Sequence, residues 1–188
     1  MPTIYEFLAD GFEEIEGMAP VDIFRRGGLD VKTVSVNGTN MVKTSHGVTV
    51  VADTIFENVN FDDAVLLMLP GGMPGSTNLN AHAGVRAAMK KQYDEGKLVA
   101  AICAAPMVLG SIGILRGKKA TCSPGFEKYL EGATYTSELC TVDGNVITGK
   151  GPAATLPYAY KLLEILTDSE TSRTIQHKMQ FLQLIGEE

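Results

Sequence analysis

Two uninterrupted apolar runs restrict this chain more than any other feature. Residues 65–69 read Val-Leu-Leu-Met-Leu and residues 98–102 read Leu-Val-Ala-Ala-Ile. A half-exposed strand alternates apolar and polar side chains. These runs do not alternate, so both faces of each strand must be covered. They are also far too short to cross a bilayer as helices, which takes about 20 apolar residues. The runs therefore belong to a mostly parallel sheet with helices on both faces, an α/β fold.

The rest of the chain fits that frame. Residues 3–8 and 29–36 read as further strands, and 48–52 as a third, short one. Helical spacing marks 13–26, kinked or divided at Pro20, then 85–95, stopped by Gly96, and 106–112. Val142-Asp143-Gly144-Asn145-Val146 is a hairpin signal. Residues 153–166 and 170–184 read as C-terminal helices. No repeat or linker interrupts the 188 residues, so a single domain is expected over 1–188, with a helical extension from about residue 168.

Composition narrows the function. A net charge of −6 disfavours a nucleic-acid partner, which needs a basic surface. No basic segment followed by an apolar one opens the chain, so no signal peptide, no membrane partner and a cytoplasmic location are expected. Three cysteines, Cys103, Cys122 and Cys140, lack CxxC spacing and read as thiols rather than disulfides or zinc ligands. No metal-ligand spacing and no phosphate-binding fingerprint occurs, so neither a metal nor a cofactor is expected.

Three segments carry candidate chemistry. Cys103 stands where the 98–102 strand ends, with Pro106 in the first turn of the next helix. Ligands of open α/β sheets bind at the carboxyl ends of strands, and a helix N-terminus favours thiolate over thiol. Cys103 is thus either a nucleophile or a buried inert thiol. Pro70-Gly71-Gly72 follows the 65–69 strand. Its amides suit an oxyanion or carboxylate, although a plain tight turn explains the glycines as well. In Asp10-Gly11-Phe12-Glu13-Glu14-Ile15-Glu16, the first glutamates read as a solvated helix start. Glu16, beside apolar neighbours, faces either water or the core, where burial would keep it protonated.

Taken together, these segments resemble the ThiJ/PfpI family, also called DJ-1/PfpI, within the class I glutamine-amidotransferase-like proteins. The matching pieces are Asp10 to Glu16 with Pro20-Val21-Asp22, Leu69-Pro70-Gly71-Gly72, Ala101-Ile102-Cys103-Ala104, and Gly151-Pro152. The resemblance implies a flavodoxin-like three-layer sandwich and a homodimer. It implies that Cys103 is the nucleophile and Glu16 the protonated carboxyl against its sulfur. Amides of Gly72 and Ala104 would surround an anion or oxyanion. Members are described as glyoxalases, deglycases, oxidative-stress sensors, chaperones and intracellular proteases. Protease-type members carry histidine directly after the cysteine, where this chain has Ala104. Others place a histidine before a later proline, where this chain has Ser123. A Cys-His peptidase is therefore disfavoured.

His46 is a candidate for the pocket of a partner subunit, or a plain loop residue. Arg26 is either an anion contact or a surface charge. Cys122 is either a resolving thiol for an oxidised Cys103 or core packing. The leading expectation is an enzyme acting on small reactive carbonyls through Cys103 and Glu16. The alternative is a redox sensor or chaperone without turnover.

Overall fold

A computed structural model describes residues 2–187. Its elements in order are β1 (Thr3–Leu8), α1 (Glu14–Arg26), β2 (Asp30–Ser35), β3 (Met41–Lys43), β4 (Thr49–Val51), β5 (Thr54–Ile55), β6 (Ala64–Leu69), α2 (Gly75–Ala81) and α3 (Ala83–Asp94). There follow β7 (Leu98–Ile102), α4 (Pro106–Ser111), β8 (Lys119–Ala120), β9 (Thr134–Tyr135), β10 (Cys140–Asp143), β11 (Val146–Gly149), α5 (Thr155–Leu166), α6 (Ser169–Lys178) and α7 (Phe181–Ile185).

The main sheet runs β10-β11-β7-β6-β1-β2-β5, and every pairing is parallel except β10 with β11. The two apolar runs, β6 and β7, lie next to each other near its centre. Side chains of α2, α3 and α4, among them Leu79, Val85, Met89 and Val108, pack on one face. Side chains of α1 and α5, among them Val21, Phe24, Tyr158 and Leu162, pack on the other. The result is the expected flavodoxin-like sandwich. Among the described residues, no helix is long and apolar enough to cross a membrane.

Three elements differ from the sequence reading. Residues 48–52 do not join the main sheet. Their strand, β4, pairs with β3 as a separate hairpin whose Val51 stands 69% exposed. Pro20 neither ends nor divides α1. The C-terminal helix breaks at Gln180, which is left-handed at φ 57° and leaves α7 as a short second piece.

Candidate functional site

The elbow is built from strand ends. Cys103 follows β7 with φ 64°, a left-handed conformation that an L-residue occupies at a cost of about 1–2 kcal/mol. Its backbone is held on both sides. Its N–H donates to Gly149 O at 2.9 Å, and its carbonyl accepts from Ser123 N–H at 2.9 Å. Gly149 can close on it because it has no side chain: a Cβ there would stand 2.8 Å from Ile102 Cδ1.

Glu16 arrives from the first turn of α1. Glu13 caps that helix, its Oε2 accepting the Glu16 N–H at 2.8 Å. Glu13 is 8% exposed, and Ile15, not a glutamate, turns outward at 52%. The expected solvated role for Glu13 is thus corrected. Its carboxylate serves the cap, and Glu16 is delivered to the core, fully buried. Glu16 Oε2 accepts from Gly71 N–H at 2.9 Å. The Glu16 carboxyl, the Ser123 side chain and the Gly72 amide all act on the protonation of the Cys103 thiol.

Gly71 is the seam between the two. A Cβ there would lie 2.5 Å from Glu16 Oε2, 2.6 Å from Cys103 Cβ and 2.8 Å from Ile102 O. Neither the Ile102 carbonyl nor the Cys103 Cβ, fixed to the backbone, can swing away. Gly71→Ala is therefore expected to cost about 1–3 kcal/mol, the usual penalty of overpacking. Gly151, extended at φ 172° with nothing within 4 Å of the place a Cβ would take, is the control. Urea unfolding of the two alanine variants checks this, and equal stability would refute the seam.

The protons of the pair are coupled. Burial lifts Glu16 to about 7, helped by the Glu13 charge and opposed by hydrogen bonds from Cys103 and Gly71. Burial and then the Glu16 charge push the Cys103 thiol up to about 12, while Ser123 and Gly72 pull it down. Burial thus works against the acidifying helix end that the sequence suggests. The following helix, α4, has six residues, and burial outweighs it. The Glu16 charge acts on sulfur only while Glu16 is ionised, so the first proton belongs to the pair.

Magnitudes show where the charge can rest. Ordinary values of 9.0 and 4.5 favour ionising the carboxyl by about 6 kcal/mol. A thiolate would collect donors from Gly72, Ser123 and protonated Glu16, each worth about 1.5–3 kcal/mol to a charge. A Glu16 carboxylate has the Gly71 N–H and the weak thiol donor, and its Oε1 lacks a geometric partner. The donors to the thiolate narrow the gap between the two forms.

The sequence pattern of the DJ-1/PfpI family matches residues 2–165. The chain belongs to the DJ-1/PfpI family. It is 39% identical over 165 residues to Protein DJ-1 homolog B of Arabidopsis thaliana, covering 87% of this chain and 38% of that protein. The chain thus spans well under half the length of that relative. It is 35% identical over 161 residues to a Pyrococcus abyssi protein named a deglycase, covering 84% of this chain and 95% of that one. Oxidised Toxoplasma gondii DJ-1 superposes with a TM-score of 0.91 at 33% identity, covering 95% and 98% of the two chains.

Of the remaining residues singled out from sequence, Ser123 joins this DJ-1/PfpI pocket directly, and buried Ala104 lies beside Cys103. The Gly71 amide is taken up by Glu16, and the Gly72 amide favours the anionic sulfur. Arg26 lies ten residues along α1 from Glu16, about 15 Å, and pairs with Asp22 at 2.8 Å. His46 is exposed and pairs with Glu14 at 3.0 Å, which raises its pKa. Cys122 packs into the core on the α3–α4 face, whereas Cys103 packs against the α1–α5 face. Sequence spacing missed one trio. Among the described residues, Glu13, Glu14 and His46 bring potential ligand atoms within 4.8 Å of one another. Loop folding, not local spacing, unites them, and each already has a protein partner.

Proposed function

We propose that this protein acts on small reactive carbonyls, methylglyoxal being the test compound. The observation that carries the reading is the buried Glu16 carboxyl against the Cys103 thiol at a strained elbow. The Cys103 thiolate adds to the aldehyde carbon and forms a C–S bond. The carbonyl π pair moves to oxygen, which takes the Glu16 proton and gives a hemithioacetal. Amides of Gly72 and Ala104 steady the oxygen. The Pyrococcus abyssi relative named a deglycase supports the same class. The groups acting on the thiol are Glu16, Ser123 and Gly72, none a histidine, which weighs against a peptidase. The expected result is loss of methylglyoxal by wild type and none by Cys103→Ser. Wild-type protein that leaves the aldehyde untouched would sink the reading.

The second reading is a redox sensor without turnover, favoured by the oxidised Toxoplasma gondii neighbour. Selective peroxide oxidation of Cys103 with no aldehyde loss would select it. Either role is proposed for a cytoplasmic homodimer. Ile15, Met41, Val48 and Val51 stand exposed on α1 and the β3–β4 hairpin, and His46 lies between two of them in sequence.

A further inference from the structure

Five buried side-chain oxygens among the described residues lack a geometric hydrogen-bond partner in the protein: both of Glu6, Oε1 of Glu16, Oγ of Ser76 and the hydroxyl of Tyr158. Four of these five belong to Glu6, Glu16 and Tyr158, and the chain brings those three residues to one layer. Side chains two apart on a strand share a face, so Glu6 faces the same way as Ile4, which packs with Tyr158 and with Val21 and Phe24 of α1. The register partner of Glu6 is Met68, and that of Met68 is Ala100, both in the same cluster. Tyr158 lies against Gly149, its Cδ2 2.9 Å from where a Cβ would stand, and the Gly149 carbonyl holds the Cys103 N–H. Glu16 enters at the end of that face.

No lysine, arginine or histidine is among the buried residues described, so no cation is available to neutralise Glu6. The titratable groups of the layer are Glu16 from α1, Tyr158 and Tyr160 from α5, Cys103 after β7 and Cys140 of β10. Tyr160 spends its hydroxyl on Met179 Sδ. From β2, Thr33 sits opposite Glu6 but bonds Asp53, which pairs with Arg25 at the open edge. A buried polar atom left without a partner costs about 1–3 kcal/mol, and the usual remedy is an ordered water making two to four hydrogen bonds.

We infer that Glu6, Tyr158 and Glu16 line an internal hydration site whose ordered water carries protons between Glu6 and the Glu16–Cys103 pair. The Glu6 carboxyl gives a proton to the water, and the water gives one to Glu16 Oε1. The reverse transfer restores Glu6, and nothing is consumed. Tyr158 orients the water and is a positioning residue, not a catalytic one. The inference rests on the shared proton of Glu16 and Cys103, not on the carbonyl substrate.

Iodoacetamide alkylation of Cys103 across pH tests it, because it reads the thiol whether or not an aldehyde is turned over. Tyr158→Phe and Glu6→Met each remove a donor that steadies the charge on the pair. Each is expected to raise the alkylation midpoint by about one unit, a roughly tenfold slower reaction at pH 6. The double variant should show less than the sum, and Ser76→Ala should leave the midpoint in place. Tyr158→Phe is conservative enough to keep the fold if Glu6→Met does not. Infrared spectra of Glu6→Gln then give a second readout, with loss of a protonated-carboxyl band expected near neutral pH. Wild-type midpoints in both single variants would overturn the relay. So would a crystal structure with no water within hydrogen-bonding distance of the Tyr158 hydroxyl.

Discussion

Replacing Glu16 with leucine should raise the alkylation midpoint of Cys103 by about two units. Two units correspond to about a hundredfold less thiolate at pH 7. The direction follows from what each form loses. In wild type the first proton leaves the pair near 7, and the charge can rest on sulfur because Glu16 keeps the other proton and donates it. Leucine supplies neither donor nor proton store, and burial, the largest influence on this thiol, still opposes the anion. Ser123 and Gly72 remain and limit the rise. Glu16→Gln keeps a donor against the sulfur and should fall between the two. The measurement is the alkylation rate against pH with folding monitored in parallel. A wild-type rate that ignores pH 7 and climbs only toward 12 would mean that the charge stays on the carboxyl and that Glu16 does not activate Cys103.

The elbow could be read from sequence because every local signal there agrees. Leu98 to Ile102 has no polar residue, Pro106 suits a helix start, and Cys103 stands between them in the αL position that small polar or functional residues take. The fate of the acidic turn was not legible. Three glutamates in four residues have no apolar period, and which one enters the core depends on Gly71 standing opposite, 55 residues away. The same limit applies to residues 48–52. Their composition suits a strand, but they pair with Met41–Lys43 rather than with β2, and no local pattern chooses between those partners. Residues 3–8 read as a strand, and in the fold all six are buried, Glu6 included. A central parallel strand has no wet face, so a carboxyl inside it was the signal to notice.

That carboxyl gives a second large effect, on stability rather than reactivity. Burial alone raises the Glu6 pKa well above 4.5, and Glu6 is fully buried. In the unfolded chain Glu6 ionises near its ordinary value of 4.5, while in the folded protein it stays protonated to higher pH. Between those values the unfolded state holds fewer protons, so stability falls as pH rises, by about 1.4 kcal/mol per pH unit. Below 4.5 both states are protonated and the stability is fully present. It is lost progressively from there to the folded pKa and is constant beyond it. Glu6→Gln cannot ionise and loses this slope. The variant should therefore gain on wild type as pH rises from 5 toward 7, by at most about 1.4 kcal/mol per pH unit, whatever fixed cost the amide brings at every pH. The titrations of Glu16 and the other carboxyls are common to both proteins and cancel in the difference. Urea midpoints at pH 5, 6 and 7 decide it. Parallel stability curves for the two proteins would show that Glu6 ionises as freely in the fold as in the unfolded chain. The buried acid beneath the Glu16–Cys103 pair would then hold no proton to share.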